Sequence, residues 1–254
     1  MKLSFVIPAY NEENYIGICL ESVLREVKVN NFDVEIIVVN NASKDKTKEV
    51  AQGFPGVRVV DELEKGLTRA RRAGYLASTG DIIANVDSDA TLPEGWLKKV
   101  FAEFEKDPKL VALSGPYIYP EMSKFINVLV SLYYRVGYVG HLFNHYVLNS
   151  GAVLQGGNFI VRRTAMEKIG GFDTTIEFYG EDTDVARRIQ KVGRVNFTFD
   201  LPMYTSSRRF DGEGFLKTAW NYGINYLWTI TFKKPYSQKY SDFRNGKKIS
   251  TNEK

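Results

Sequence analysis

Two carboxylates one residue apart, Asp87 and Asp89, stand at the end of the run DIIANVDSD. An apolar run of that kind reads as a buried strand, and the carboxyl edge of an open α/β sheet is where such sheets bind ligands. Like charges this close repel unless a cation lies between them. Hard Mg²⁺ or Mn²⁺ prefers oxygen ligands and keeps positions for substrate phosphates. The same tripeptide also serves as an Asx turn and helix cap, so the pair needs company before it means chemistry. A second acidic pair, Glu181-Asp182, follows Gly180 at the start of the helical pattern EDTDVARRIQKVG. A helix N-terminus stabilises a carboxylate there, and such residues are equally ordinary caps. Arg69, Arg71 and Arg72 fall on one helical segment, where a solvated face is the plain reading. His141 and His145 share a helical face with no nearby carboxylate, which reads as a polar edge on an aromatic helix.

These residues need a scaffold, and the pattern around them supplies one. Short β-rich apolar runs alternate with helical periodicity, the signature of βαβ units and a mostly parallel sheet flanked by helices. LSFVIPA is a strand stopped by Pro8; residues 12–27 are a helix with Ile16, Leu20, Val23, Leu24 and Val27 inward. VEIIVVN is a strand apolar on both faces. ASKDKT opens a helix with Ser43 as N-cap, and VRVVD is the next strand. Residues 66–78 form a helix whose small residues permit close packing. A helix from Pro93, a strand VALSGPYIY, a strand GAVLQGGNFIVRR and a strand VNFTFD follow. The stretches 125–140 and 214–232 are apolar, aromatic helices.

In order along the chain stand VIPAYNEE, VVNNASKDKT, GLTRARRAGYLASTG, DSD and GEDTDVARRI. Together they resemble the family 2 glycosyltransferases, over residues 3–200. The resemblance implies a GT-A fold and inverting, non-processive transfer from a nucleoside-diphosphate sugar, UDP- or GDP-linked, assisted by Mn²⁺ or Mg²⁺. Carried over, Pro8, Ala9, Tyr10 and Glu12 line the base and ribose pocket. Asn40 and Asn41 stand where the family has two aspartates; an amide oxygen can still accept from a base N–H. Arg71 faces the diphosphate, Asp89 is the principal metal ligand, and Asp87 is a ribose or further metal partner. Asp182 is the general base that deprotonates the acceptor hydroxyl, with Glu181 beside it, and Gly156, Gly157 and Asn158 form the acceptor-side loop. The Q-x-x-R-W motif of processive members is absent; Ser206-Ser207-Arg208-Arg209 could instead bring Arg208 and Arg209 to the phosphates, or be surface. The other reading is a catalytically silent nucleotide-sugar-binding or scaffold module, favoured by the two asparagines.

The implied organisation is a domain over 1–210, with a nucleotide-sugar half at 1–120 and an acceptor half at 121–210. Residues 211–254 are a C-terminal helix and basic tail. From Lys233 onward seven Lys/Arg face two Asp/Glu, so the tail carries +5 of a net +4 and the remainder −1. Such a tail suits an anionic leaflet or merely solvent, and the two aromatic helices beside it either dock on that leaflet or cover the acceptor side of the domain or form a dimer contact. The lone Cys19 excludes an internal disulfide and Cys-based metal sites, in keeping with a reducing compartment. No run reaches the 18 or so apolar residues of a spanning helix, and MKLSFVIPAY is too short for a signal peptide. The expectation is a cytoplasmic protein, peripheral on the membrane if its acceptor is polyprenyl-phosphate-linked and not a soluble sugar. Nucleic acid is not expected. P-A-Y-N-E-E after the first strand excludes the G-x-G-x-x-G of a dehydrogenase.

Overall fold

The computed structural model describes residues 1–147, 152–232, 234, 236 and 237, without the side chains of 139–147, 215, 216, 227 and 230. The side chains of His141 and His145, and the tail residues Lys233, Lys239, Arg244, Lys247 and Lys248, therefore lie outside the described residues.

The first half runs β1 (Leu3–Ala9), α1 (Ile16–Asn30), β2 (Val34–Asn41), α2 (Thr47–Gln52), β3 (Val57–Glu62), α3 (Leu67–Ala77) and β4 (Ile82–Val86). Then come β5 (Ala90–Thr91), α4 (Trp96–Lys106), β6 (Leu110–Ser114), β7 (Tyr117–Ile118), α5 (Lys124–Val147) and β8 (Asn158–Arg162). The chain continues through α6 (Arg163–Lys168), α7 (Glu181–Ile189), β9 (Arg194–Phe197), β10 (Met203–Thr205), α8 (Arg208–Glu213) and α9 (Phe215–Phe232).

A seven-stranded sheet has the order β3-β2-β1-β4-β8-β6-β9, with β8 antiparallel to both its neighbours and the other pairs parallel. Every residue of β1 is buried because the sheet is covered on both faces. Leu3, Phe5, Ile7 and Ala9 face a core with α1 and α4, while Val6 joins Ile37, Val39 and Ala70 on the α3 side. That alternation is the period of two of a strand. The α3 helix lies so close that a Cβ on Gly74 would run into Val6 and Val39. Chain order reverses between β1 and β4, so the ends of these two strands form the crevice of an open α/β sheet.

Local chemistry moved several boundaries. The first strand continues through Pro8 to Ala9. The first helix begins at Ile16, after a turn in which Asn11 has φ 52°, and ends on the left-handed Asn31. Ser43 does not cap α2: its hydroxyl accepts the Asn11 N–H, and Asp45 instead accepts the Thr47 N–H at 3.0 Å. VALSGPYIY breaks at Gly115, where the backbone of Leu201 approaches too closely for any side chain. Its second part, β7, enters a small sheet of order β5-β10-β7. Among the described residues of GAVLQGGNFIVRR, the strand is Asn158–Arg162.

Candidate active site

The crevice gathers side chains from the ends of β1 and β4, from α3, from the turn before β8, from the start of α7 and from α8. Arg71 sets its centre. The guanidinium is 1% exposed, not on a solvated face, and donates to Glu181 and, at 3.0 Å, to Asp87. Arg69 and Arg72 are exposed. The other Asp87 oxygen accepts from the Tyr117 hydroxyl at 3.0 Å. The same hydroxyl also meets the Gly156 carbonyl, so Asp87 is held on the cavity side with 31% of its side chain exposed, while Asp89, 16% exposed, lies against Arg208.

Asp182 lies in the first turn of α7, but no side chain caps that helix. One Asp182 oxygen accepts the Gly156 N–H at 2.9 Å and the other the Thr183 N–H at 2.7 Å. Burial raises its pKa, and Arg71 and these N–H donors oppose the shift. Burial likewise pushes Glu181 up to about 8, against the pull of Arg71 and with the repulsion of Asp182 and Asp87. Asp87 is raised for the same first reason. One guanidinium among three carboxylates cannot neutralise them all, so the cluster binds a proton readily.

Gly156 and Gly157 are required by contact. Gly157 has φ +79°, and a Cβ there would occupy the Asp87 carboxylate and the Tyr117 hydroxyl. A Cβ on Gly156 would press on Glu181 and Asp182 at 3.1 and 3.2 Å. Asn158 is fully buried and donates to the Gly115 and Leu201 carbonyls at 3.0 Å each, so it ties loops together and does not face an acceptor.

On the β1–β2 side, Tyr10 has the Lys65 ammonium 3.9 Å above its ring. Pro8 and Ala9 are buried at the strand end. Asn40 donates to Asp61 at 2.8 Å, leaving its buried amide oxygen without a partner among the described residues. Asn41 is consumed by the β3–α3 loop: it donates to the Glu62 and Glu64 carbonyls and accepts the Gly66 N–H. Glu12 does not open onto a pocket, since Arg208 grips both its oxygens at 2.7 and 2.8 Å. Arg208 also lies 2.8 Å from Asp89, and Arg209 donates to the Tyr179 hydroxyl at 3.4 Å.

Beyond Asp182 opens a cavity of about 250 Å³ walled by aromatic rings, among them Tyr117, Tyr134, Tyr138, Phe178 and Tyr222. The inner faces of α5 and α9 close it. The outer face of α5 exposes Phe125, Val128, Leu132 and Val136 at helical spacing. Sequence reasoning missed Tyr117, Tyr134 and the cavity: Tyr117 sits inside a stretch that reads as plain strand, and nothing local marks it.

A hard cation prefers oxygen donors, and the carboxylate that the protein could offer one is Asp89. Among the described residues no group of three or more His, Cys, Asp or Glu is arranged to hold a metal ion. A single carboxylate, Asp89, with oxygens of a bound diphosphate and water would complete an octahedral site.

A family profile described as glycosyl transferase family 2 matches residues 4–170. The chain belongs to glycosyltransferase family 2. A second profile, the N-terminal domain of galactosyltransferase, matches residues 143–208. The probable glycosyltransferase YdaM of Bacillus subtilis is 28% identical over 207 residues, covering 76% of this glycosyltransferase and 47% of YdaM. The chain thus spans about half or less of the first curated relatives it matches. The glucosyl-dolichyl phosphate glucuronosyltransferase of Haloferax volcanii is 23% identical over 261 residues, covering 95% and 78% of the two chains. Among solved structures, the mannosyltransferase PcManGT of Pyrobaculum calidifontis, in complex with GDP-Man and Mn²⁺, gives a TM-score of 0.64 at 22% identity. It covers 91% of this chain and 63% of its own. TarS of S. aureus gives 0.62 at 17%, covering 92% and 73%. These likenesses show the fold, a mostly parallel GT-A sheet flanked by helices.

Proposed function

We propose that this glycosyltransferase moves a sugar from a UDP- or GDP-linked donor to an acceptor hydroxyl with inversion, Asp182 serving as general base. The single observation that carries the reading is the Asp182 carboxylate. It is held by the Gly156 N–H at the mouth of an aromatic cavity, and burial raises its proton affinity. The acceptor enters through the cavity, where rings stack against sugar faces or prenyl chains. Its hydroxyl gives the proton to Asp182, the oxygen bonds to the anomeric carbon, and the bond to the diphosphate breaks. Asp89 would hold Mn²⁺ or Mg²⁺, whose charge offsets that developing on the departing nucleoside diphosphate. Arg71 fixes Glu181 and Asp87 around that path. Asn40, its amide oxygen lacking a partner, would receive a base N–H. A phosphate acceptor, such as the name of the dolichyl-phosphate beta-glucosyltransferase of Trichomonas vaginalis suggests, would arrive already ionised and need no base.

We place the division of labour at 1–120 for the donor and 121–210 for the acceptor, with the helix of 211–254 packing on the acceptor side and a tail beyond it. No helix among the described residues is long and apolar enough to cross a membrane. The exposed stripe of α5, together with a tail of +5, supports peripheral docking on an anionic cytoplasmic leaflet and a lipid-linked glycan as product class.

A thermal-shift panel of UDP-, GDP- and dTDP-sugars with and without Mn²⁺ tests the donor. One nucleotide should raise the melting point more than the others, by mass action. If none does so under either condition, the reading fails.

A further inference from the structure

Arg208 stands where a cation would stand. It is the first residue of α8, and its position follows from pairing far away in the sequence. In the small sheet Thr205 of β10 faces Ala90 of β5, so the turn after β10 is delivered beside Asp89. Glu121 then fastens the turn, accepting the Ser207 N–H at 2.7 Å and the Ser207 hydroxyl at 2.8 Å. From there the guanidinium makes a two-pronged contact with Glu12 and reaches Asp89 at 2.8 Å, its plane 4.6 Å from the Tyr15 ring.

The two anchors differ. Glu12 is 2% exposed and cannot lose its counter-charge without leaving a buried carboxylate unpaired, so it is a permanent tether. Asp89 is 16% exposed and meets Arg208 at 2.8 Å, so of the two carboxylates it is the one that water, and an incoming cation, can reach. Across the site, five carboxylates (Glu12, Asp87, Asp89, Glu181 and Asp182) face three guanidinium groups (Arg71, Arg208 and Arg209), so ionised carboxylates outnumber guanidinium groups even with Glu181 protonated. A diphosphate therefore enters only with added positive charge or with a guanidinium released toward it.

We propose that Arg208 is a displaceable counter-ion: it covers the Asp89 carboxylate in the donor-free protein and transfers to the diphosphate when donor and divalent cation bind, with Glu12 as its pivot. The inference rests on the donor and metal roles proposed above. It makes Arg208 a positioning residue that couples two binding events. A divalent cation alone must compete with the guanidinium for Asp89. A nucleoside diphosphate gives Arg208 a new partner and frees the carboxylate, so each ligand strengthens the other, a reciprocal coupling of roughly 5- to 150-fold.

Titration of the protein with Mn²⁺, read by the EPR signal of free Mn²⁺, tests this in the absence and presence of saturating UDP or GDP, with Mn²⁺–nucleotide binding in solution subtracted. The wild type should bind Mn²⁺ about tenfold more tightly with the nucleotide that shifts its melting point. Arg208→Gln should bind Mn²⁺ alone about tenfold more tightly than wild type and show a smaller coupling, the remainder being the part that the diphosphate oxygens supply as ligands. General damage to the fold does not tighten a metal site. Because Arg208→Gln strands Glu12, Glu12→Gln/Arg208→Gln is measured beside it and should give the same gain. Mn²⁺ affinity in both variants equal to or weaker than wild type overturns the proposal. Failure of every nucleotide to shift the wild type overturns the donor reading instead, so the two failures are told apart.

Discussion

A carboxylate screened from water binds its proton more tightly, and that is what distinguishes Asp182 from a surface aspartate. Burial raises it while the Gly156 and Thr183 N–H groups hold its oxygens in place. The rate, kcat/KM, should therefore fall on acidification with a midpoint above the ordinary ~3.9 of an aspartate, a midpoint that belongs to the coupled carboxylates together. Asp182→Asn should lower kcat by about 10²- to 10⁴-fold while leaving the donor-induced melting shift unchanged. Full activity in that variant would remove the base assignment. Its neighbour makes a stability prediction. Glu181 keeps its proton up to about 8 when folded, against an ordinary value of 4.5. A group raised on folding stabilises fully below its unfolded value and loses that contribution as pH rises through its folded one. The melting point of the wild type should thus decline between pH 5 and 8 more steeply than that of Glu181→Gln, ordinates taken by circular dichroism in matched salt; parallel curves would contradict the raised value.

At the scale of elements, the packing of α3 on β1 and β2 decides where Arg71 lies. Gly74 is one turn along from Arg71, and its missing Cβ lets the helix sit against Val6 and Val39. Gly74→Ala forces the helix outward, at a cost of about 1–3 kcal/mol by overpacking. Urea unfolding should show this as a lower midpoint at constant slope, and the displaced Arg71 should weaken nucleotide binding in the same variant. The helical pattern and the small residues of this segment could be read from the sequence. That Arg71 is buried could not, because an arginine on an amphipathic helix is usually solvated and its partner Glu181 is 110 residues away.

For the whole molecule, α5 presents two different apolar faces. Val130, Tyr134 and Tyr138 wall the cavity, and Phe125, Val128, Leu132 and Val136 face outward. The sequence left acceptor cover and membrane contact as alternatives for this helix; its geometry accommodates both. Sedimentation with phosphatidylglycerol vesicles should carry the protein down at low salt and release it as salt screens the basic tail. Leu132→Asp with Val136→Asp should abolish that binding while donor-induced stabilisation persists. Binding undiminished in that variant would detach the stripe from the membrane reading.

The sequence by itself determined the alternation of strand and helix, the β1 segment Leu3–Ala9 and the ordered motifs of family 2. Those features are local: a period of two or 3.6 states which face is buried, and a motif states which residue types stand at a strand end. Only the tertiary structure decided the duties of individual polar side chains. It turned Asn41 and Asn158 into ties between loops, took both Asp87 oxygens for Arg71 and Tyr117, and laid Arg208 on Glu12, 196 residues earlier. A hydrogen-bonding side chain accepts any partner of the right polarity. Which one it meets is fixed by strand order and register, as when β10 pairs with β5 and brings Arg208 to Asp89.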